Sequence, residues 1–223
     1  MYKIALDGPS GSGKSVMARA IAKELNILYV DTGALYRAIG LYMYRNGIDP
    51  KDSTKVVPAL ADVNVELTQG EEGQIVWLNG ENVSYDIRLP EISMYASAVS
   101  AIPEVRTFLL GLQRGTAEKN SVVMDGRDIG TVIFPDAEVK IFLFARDEVR
   151  ALRRFKELEE KGVKTTYEEV LSDMQKRDEN DRTRAVAPAV PAEDAIMFDS
   201  SELTIDETIN GIIGIIRSRI KEA

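Results

Sequence analysis

The sequence predicts an α/β protein: an open, mostly parallel sheet with helices on both faces, built around a P-loop and carrying a β-containing insert and an arginine-rich helical lid. Three observations lead there. Short apolar runs alternate along the 223 residues with segments whose apolar residues recur at helical spacing. The first run, Tyr2-Lys-Ile-Ala-Leu-Asp7, feeds directly into Gly8-Pro-Ser-Gly-Ser-Gly-Lys14-Ser15, a complete G-x-x-x-x-G-K-[ST] pattern. Asp31-Thr32 and the stretch 125–128 also follow apolar strands, so right-handed crossovers bring all three polar segments to one sheet edge.

Taken in order, residues 4–6 read as a first strand and residues 15–25 as a helix, with Val16, Ala20, Ile21 and Leu25 on one face. A second strand follows at 27–30. A helix over 33–45 carries Leu35, Ile39, Tyr42 and Met43, and Asn46-Gly47 with Pro50 ends it. Ser53 is expected to cap a further helix running to about residue 62. Residues 63–84 change character: Val63, Val65 and Leu67 alternate with polar residues, 70–73 is turn-like and 74–78 is β-rich before Asn79-Gly80. That pattern predicts a small antiparallel patch inserted in a βα chain, either a substrate lobe or an elaborate connection.

Helices are then expected over 90–101 and from Pro103 to about residue 119, the proline being suited to a first turn. Buried-type strands at 121–124 and 140–145 suit the centre of a parallel sheet. Residues 147–161 and 167–182 read as charged helices, 185–191 as an Ala/Pro-rich extended stretch, 195–198 as a last strand and 205–220 as a closing amphipathic helix.

The loop at 8–15 commits the chain to nucleotide phosphate. Its glycines let successive N–H groups turn onto an anion, and the helix that follows adds a positive dipole end. Lys14 is placed to reach the β and γ phosphates, and the Ser15 hydroxyl suits Mg²⁺. In Met124-Asp-Gly-Arg-Asp-Ile-Gly130, Asp125 ends a strand where a carboxylate serves a metal-bound nucleotide. Arg127 and Asp128 there form either a phosphate fork with a base acceptor or a local ion pair on a solvated loop. Asp31-Thr-Gly-Ala-Leu-Tyr-Arg37 presents Thr32 and a helix start to an anion with Arg37 beyond; a capping box explains Thr32 equally well. Arg177, Arg182 and Arg184, beside a helix bearing Arg146, Arg150, Arg153 and Arg154, match a lid that neutralises a transferring phosphoryl group. Glu157, Glu159, Glu160, Glu168 and Glu169 match an ordinary solvated face.

Composition narrows the chemistry. With 28 basic and 36 acidic side chains the net charge is −8, which argues against nucleic acid and anionic membranes as partners. Histidine and cysteine are both absent from the chain, so thiolate metal sites and Ser-His or Cys-His pairs are excluded. The first apolar run is too short for a signal peptide and no run reaches membrane-spanning length, so a cytoplasmic protein is expected.

At these residues the chain resembles the bacterial cytidylate kinases, members of the nucleoside-monophosphate kinases. The resemblance rests on the loop at 8–15, Asp31-Thr-Gly-Ala-Leu-Tyr-Arg37, Gly80-Glu-Asn-Val-Ser84, Asp86-Ile-Arg88 and Ile102-Pro-Glu-Val-Arg106. It continues through Asp125-Gly-Arg-Asp-Ile-Gly-Thr-Val-Ile-Phe-Pro-Asp136, Lys140-Ile-Phe-Leu143 and Arg177 to Arg184-Ala-Val-Ala-Pro188. It implies one domain over 1–223, with a core of about 1–30, 101–145 and 186–223, a monophosphate-binding lobe with the β insert at about 31–100, and a lid at about 146–185. It implies transfer of the γ-phosphoryl group of ATP to CMP and dCMP with Mg²⁺, by a monomer.

The resemblance also assigns roles. Gly8, Pro9, Ser10, Gly11, Ser12, Gly13, Lys14, Ser15 and Val16 line the ATP side, with Arg153 a candidate to stack on its base. Ser15 and Asp125 serve the metal, directly or through water. Thr32 lies near the acceptor phosphate, and Arg37 and Arg127 bind it. Ser97, Arg106 and Asp128 read the cytosine edge, Asp181 holds the sugar hydroxyl, and Arg184 adds a substrate contact. Lys14, Arg127 and Arg177 carry catalysis. Two departures from the family pattern stand out: Val16 where a threonine often follows the loop, and Leu35 where methionine or isoleucine commonly precedes Tyr36. UMP, AMP or shikimate kinases are the near alternatives, and a nucleotide switch is a more distant one for which no Asn-Lys-x-Asp motif is present.

Overall fold

The computed structural model describes residues 1–70 and 73–222, which form two compact units: Met1–Leu28 with the chain from Asn120 onward, and Tyr29–Lys119. In chain order the elements begin β1 (Lys3–Asp7), α1 (Lys14–Leu25), β2 (Leu28–Asp31), α2 (Thr32–Arg45), α3 (Ser53–Ala59), β3 (Val65–Gly70), β4 (Gly73–Leu78) and β5 (Glu81–Asn82). They continue with α4 (Pro90–Val99), α5 (Pro103–Gly115), β6 (Val122–Gly126), β7 (Val139–Phe144), α6 (Asp147–Glu160), α7 (Tyr167–Thr183), β8 (Ile196–Asp199) and α8 (Ile205–Glu222).

The main sheet has the order β2-β6-β1-β7-β8, with helices on both faces, and β1 runs parallel to both β6 and β7. The expected parallel α/β fold is therefore the one observed. Ile4, Ala5, Leu6, Val122, Val123 and Met124 are completely buried, because a strand covered on both faces has no side on which to place polar groups. Register matters for function: Leu6 lies opposite Asp125 and Asp7 opposite Gly126, so the loop leaving β1 emerges beside the loop leaving β6. A single π-helical turn, Ile129–Ile133, follows β6.

The second unit packs α2 against α4 around Leu35, Ile39, Met43, Ile92 and Val99. A Cβ on Gly40 would come within 2.9 Å of the Ala96 backbone nitrogen, so glycine permits this close crossing. Strands β3, β4 and β5 form the antiparallel patch anticipated for 63–84, registered from Val65 opposite Leu78 to Gly70 opposite Gly73. The centre of the expected 70–73 turn, residues 71 and 72, lies outside the described residues.

Four local expectations need correction. The Asp52 carboxylate, not the Ser53 hydroxyl, caps α3, accepting from Thr54 N–H at 3.1 Å. Helix α5 stops at Gly115 instead of near residue 119; the Thr116 hydroxyl turns back to Gln113 O at 2.6 Å. The helix begun at Ser53 ends at Ala59 and tightens into a 3₁₀ turn, Leu60–Asp62. Residues 185–191 are not simply extended. Ala187 has φ 50°, Arg184 Nε donates to Ala187 O at 2.6 Å and Ala189 N–H to Asp181 O at 2.8 Å, folding this loop back onto the end of α7.

Candidate active site

In the first unit the phosphate loop bridges β1 and α1. Gly8 has φ 151°, and a Cβ there would sit 2.0 Å from Leu143 O, so the loop passes β7 at a distance only glycine tolerates. Gly13, at φ 90°, is the N-cap of α1; no side chain caps this helix and no acid stands in its first turn. The positive end of the helix is thus left for an anion. Lys14 is buried, and its Nζ donates to Pro9 O at 2.6 Å and Ser12 Oγ at 3.2 Å. Burial pushes its pKa down, Arg127 adds to that effect, and Asp125, Asp7 and Asp178 oppose it.

Ser15 Oγ donates to Asp125 Oδ2 at 2.7 Å. A hydroxyl and a carboxylate from the ends of two neighbouring elements thereby share one point, an oxygen donor pair that fits Mg²⁺ completed by water and phosphate. Among the described residues no cluster of three or more acidic side chains could hold a metal alone.

Beyond Asp125, Arg127 Nε donates to Asp181 Oδ2 at 3.0 Å, and Arg184 lies 3.6 Å from Asp128 and 3.8 Å from Asp181. Arg127 and Asp128 are therefore not each other's partners, as the local ion-pair reading would have it; both reach across 50 or so residues to the end of α7. Arg177, on the same helix, has a buried Nε with no acceptor, and burial followed by repulsion from Arg127 pushes its pKa down. Arg153 donates to Ser200 O at 2.7 Å, and Val16 is exposed.

In the second unit Asp31 caps α2, accepting from Ala34 N–H at 3.0 Å, so the capping reading of Thr32 is corrected: Thr32 is the first helical residue, and it is buried. Asp31 also pairs with Arg88 at 2.9 Å, and its N–H donates to Gln74 Oε1 at 2.9 Å, tying the helix start to the β patch. Arg37 donates to Ser93 Oγ at 2.8 Å and Ile87 O at 3.2 Å. Arg106 lies over the Tyr36 ring at 5.4 Å and donates to Ser100 O, while Ser100 Oγ donates to Ser97 O. The expected base-reading pair Ser97 and Arg106 thus shares one neighbour, Ser100.

The family model for cytidylate kinase matches residues 4–218. The chain belongs to the cytidylate kinase family. It is 48% identical over 219 residues to a cytidylate kinase of Fervidobacterium nodosum, covering 98% of both chains, and 46% identical over 218 residues to one of Caldicellulosiruptor bescii, covering 98% of this chain and 96% of that one. A solved structure of an uncharacterized protein from Eubacterium ventriosum shares the fold, with a TM-score of 0.51 at 15% identity over 98% of this chain and 99% of that one.

Two features of this candidate site escaped sequence reasoning. Asp7 is buried and accepts both Ile129 N–H at 2.9 Å and Gly130 N–H at 2.8 Å, holding the π-helical turn that follows Asp128. Its signal was present, since it ends an apolar strand just as Asp125 does. Arg150 and Asp178 meet at Ser10 of the phosphate loop. Arg150 was expected only as one of several lid arginines, and nothing in the sequence placed it or Asp178 against Ser10.

Proposed function

We propose that this chain transfers the γ-phosphoryl group of ATP to CMP and dCMP, giving ADP and CDP or dCDP. The observation that carries the reading is the junction of Lys14, Ser15 and Asp125 beside arginines already ordered on Asp181 and Asp128. ATP lies on the loop at 8–15, with Arg153 toward its base. For the acceptor, Arg37 and Arg127 take its phosphate with Thr32 nearby, Ser97, Arg106 and Asp128 the cytosine edge, Asp181 the sugar hydroxyl, and Arg184 adds a further contact. Mg²⁺, held by Ser15 and Asp125 directly or through water, supplies charge neutralisation across the triphosphate when bound.

A phosphate acceptor is already an anion and needs no strong base, in keeping with a chain that has no histidine. The residues position and neutralise instead. Lys14 turns from Pro9 O and Ser12 Oγ to the phosphates. Arg127 exchanges Asp181 for the acceptor phosphate, leaving that carboxylate for the sugar. Arg177, whose buried Nε lacks an acceptor, gains one on the transferring group as residues of about 146–185 close. The remaining assignments are a core of about 1–30, 101–145 and 186–223, a monophosphate lobe of about 31–100, a monomeric state and a cytoplasmic location. Among the described residues no helix is long and apolar enough to cross a membrane.

Coupled ADP release measured with CMP, dCMP, UMP, AMP and shikimate tests the central claim. CMP and dCMP are expected to exceed the others in kcat/KM by at least about a hundredfold, because a site built to hydrogen-bond one base edge rejects others strongly. Equal rates with UMP or AMP would remove the cytosine assignment.

A further inference from the structure

Helix α7 meets the phosphate loop at its first turn. Ser10 N–H donates to Asp178 Oδ1 at 2.8 Å, and Arg150 of α6 donates to both Ser10 O and the other oxygen of Asp178. Arg150 is buried, and its remaining nitrogens are taken by Ala145 O at 3.0 Å and by Asp147. One turn earlier on α7, Met174 stands where a Cβ on Gly11 would clash, 2.7 Å from its Cε. One turn later on the same helix Asp181 holds Arg127. A single helix thus bears on the loop expected to take the triphosphate and on the loop after β6.

A carboxylate on an N–H of an anion-binding loop is an electrostatic anomaly. It has the same sign as the phosphates, and in a site of low dielectric that repulsion is not small. Arg150 resolves it by bonding the carboxylate and the Ser10 carbonyl from a single guanidinium nitrogen, Nη1, while its other two nitrogens are anchored elsewhere. We propose that Arg150 and Asp178 are positioning residues for the phosphate loop, fixing its first turn to helix α7 as a charge-compensated pair so that loop geometry and helix position change together. The pair acts through the loop backbone and touches no reacting atom. The inference rests on the loop at 8–15 being the ATP site, but not on the identity of the acceptor.

The test is a double-mutant cycle with ATP varied at saturating CMP, together with calorimetric titration of ATP onto each protein in the absence of acceptor. Arg150→Met leaves the Asp178 carboxylate uncompensated, and it is expected to raise the KM and Kd for ATP by about tenfold while the KM for CMP stays within about twofold. Asp178→Asn keeps an acceptor for Ser10 N–H and is expected to cost less, about threefold. In the double variant the like-charge penalty is gone, so ATP affinity recovers at least about threefold over Arg150→Met.

Losses that simply add in the double variant, or that fall equally on CMP, overturn the proposal, as does an ATP affinity unchanged in both single variants. Should Arg150→Met fail to fold, Arg150→Lys carries the same test: it keeps the charge but not the planar group anchored on Ala145 O and Asp147, so ATP KM rises about fivefold with CMP KM unmoved. An unmoved ATP KM in that variant overturns the proposal as well. The titration separates the two claims, since ATP binding by the wild type stands even if the panel of monophosphates shows another acceptor.

Discussion

Lys14 is a buried cation whose present partners are a carbonyl and a hydroxyl, both neutral. Asp125, Asp7 and Asp178 only partly offset the cost of burying its ammonium, so the arrangement favours an incoming polyphosphate. Lys14→Ala is expected to lower kcat by about 10²–10³-fold while far-UV circular dichroism stays unchanged, the loss belonging to transition-state charge. Activity near the wild-type level would remove the loop lysine from the mechanism. At this scale the legible residues were those whose chemistry is written in neighbouring positions: Lys14 and Ser15 beside the glycines, and Asp125 at a strand end. Asp7 was passed over although it stands in the same position at the end of β1, because its role depends on Ile129 and Gly130, more than a hundred residues away.

Helix α7 carries much of the arginine chemistry, and its N-terminus is set by a capping box in which Thr166 Oγ1 accepts from Glu169 N–H at 3.2 Å and Glu169 Oε2 from Thr166 N–H at 2.9 Å. Its small local core of Ala151, Val170 and Met174 is shared with α6. A short core makes end effects count. Thr166→Ala is expected to destabilise the protein by about 1 kcal/mol, seen as a lower midpoint in thermal melting. A midpoint equal to the wild type would show that the cap contributes nothing. Element positions were largely legible from apolar spacing, yet the cap of α3 was read one residue late, as was the capping alternative for Thr32 in α2. Asp31-Thr32 and Asp52-Ser53 both offer two capping side chains in succession, and the direction from which the chain enters the helix selects the aspartate.

For the whole molecule, Asp7 ties stability to pH. Burial pushes its pKa from 3.8 up to about 6, against the opposing effect of the Ile129 and Gly130 N–H bonds, with Asp128 raising it further and Lys14 lowering it. The native state therefore holds this proton more tightly than the unfolded chain. Its contribution is fully present below the unfolded pKa and is lost as pH rises through the folded value. The stability of the wild type relative to Asp7→Asn is expected to fall by up to about 3 kcal/mol between pH 4 and pH 7, read from denaturant unfolding of the two proteins. A difference independent of pH would show that Asp7 keeps an ordinary pKa.

By itself the sequence determined the parallel α/β fold, the β insert, the phosphate loop and the family, because apolar periodicity, glycine conformations and short motifs are local properties of the chain. Only the tertiary structure decided who pairs with whom: Arg127 with Asp181, Arg184 with Asp128, Asp7 with the π-helical turn, and Arg150 with Asp178 at Ser10. An ion pair depends on the distance between two charges in space. Sequence spacing contains that distance only within a single helix or turn.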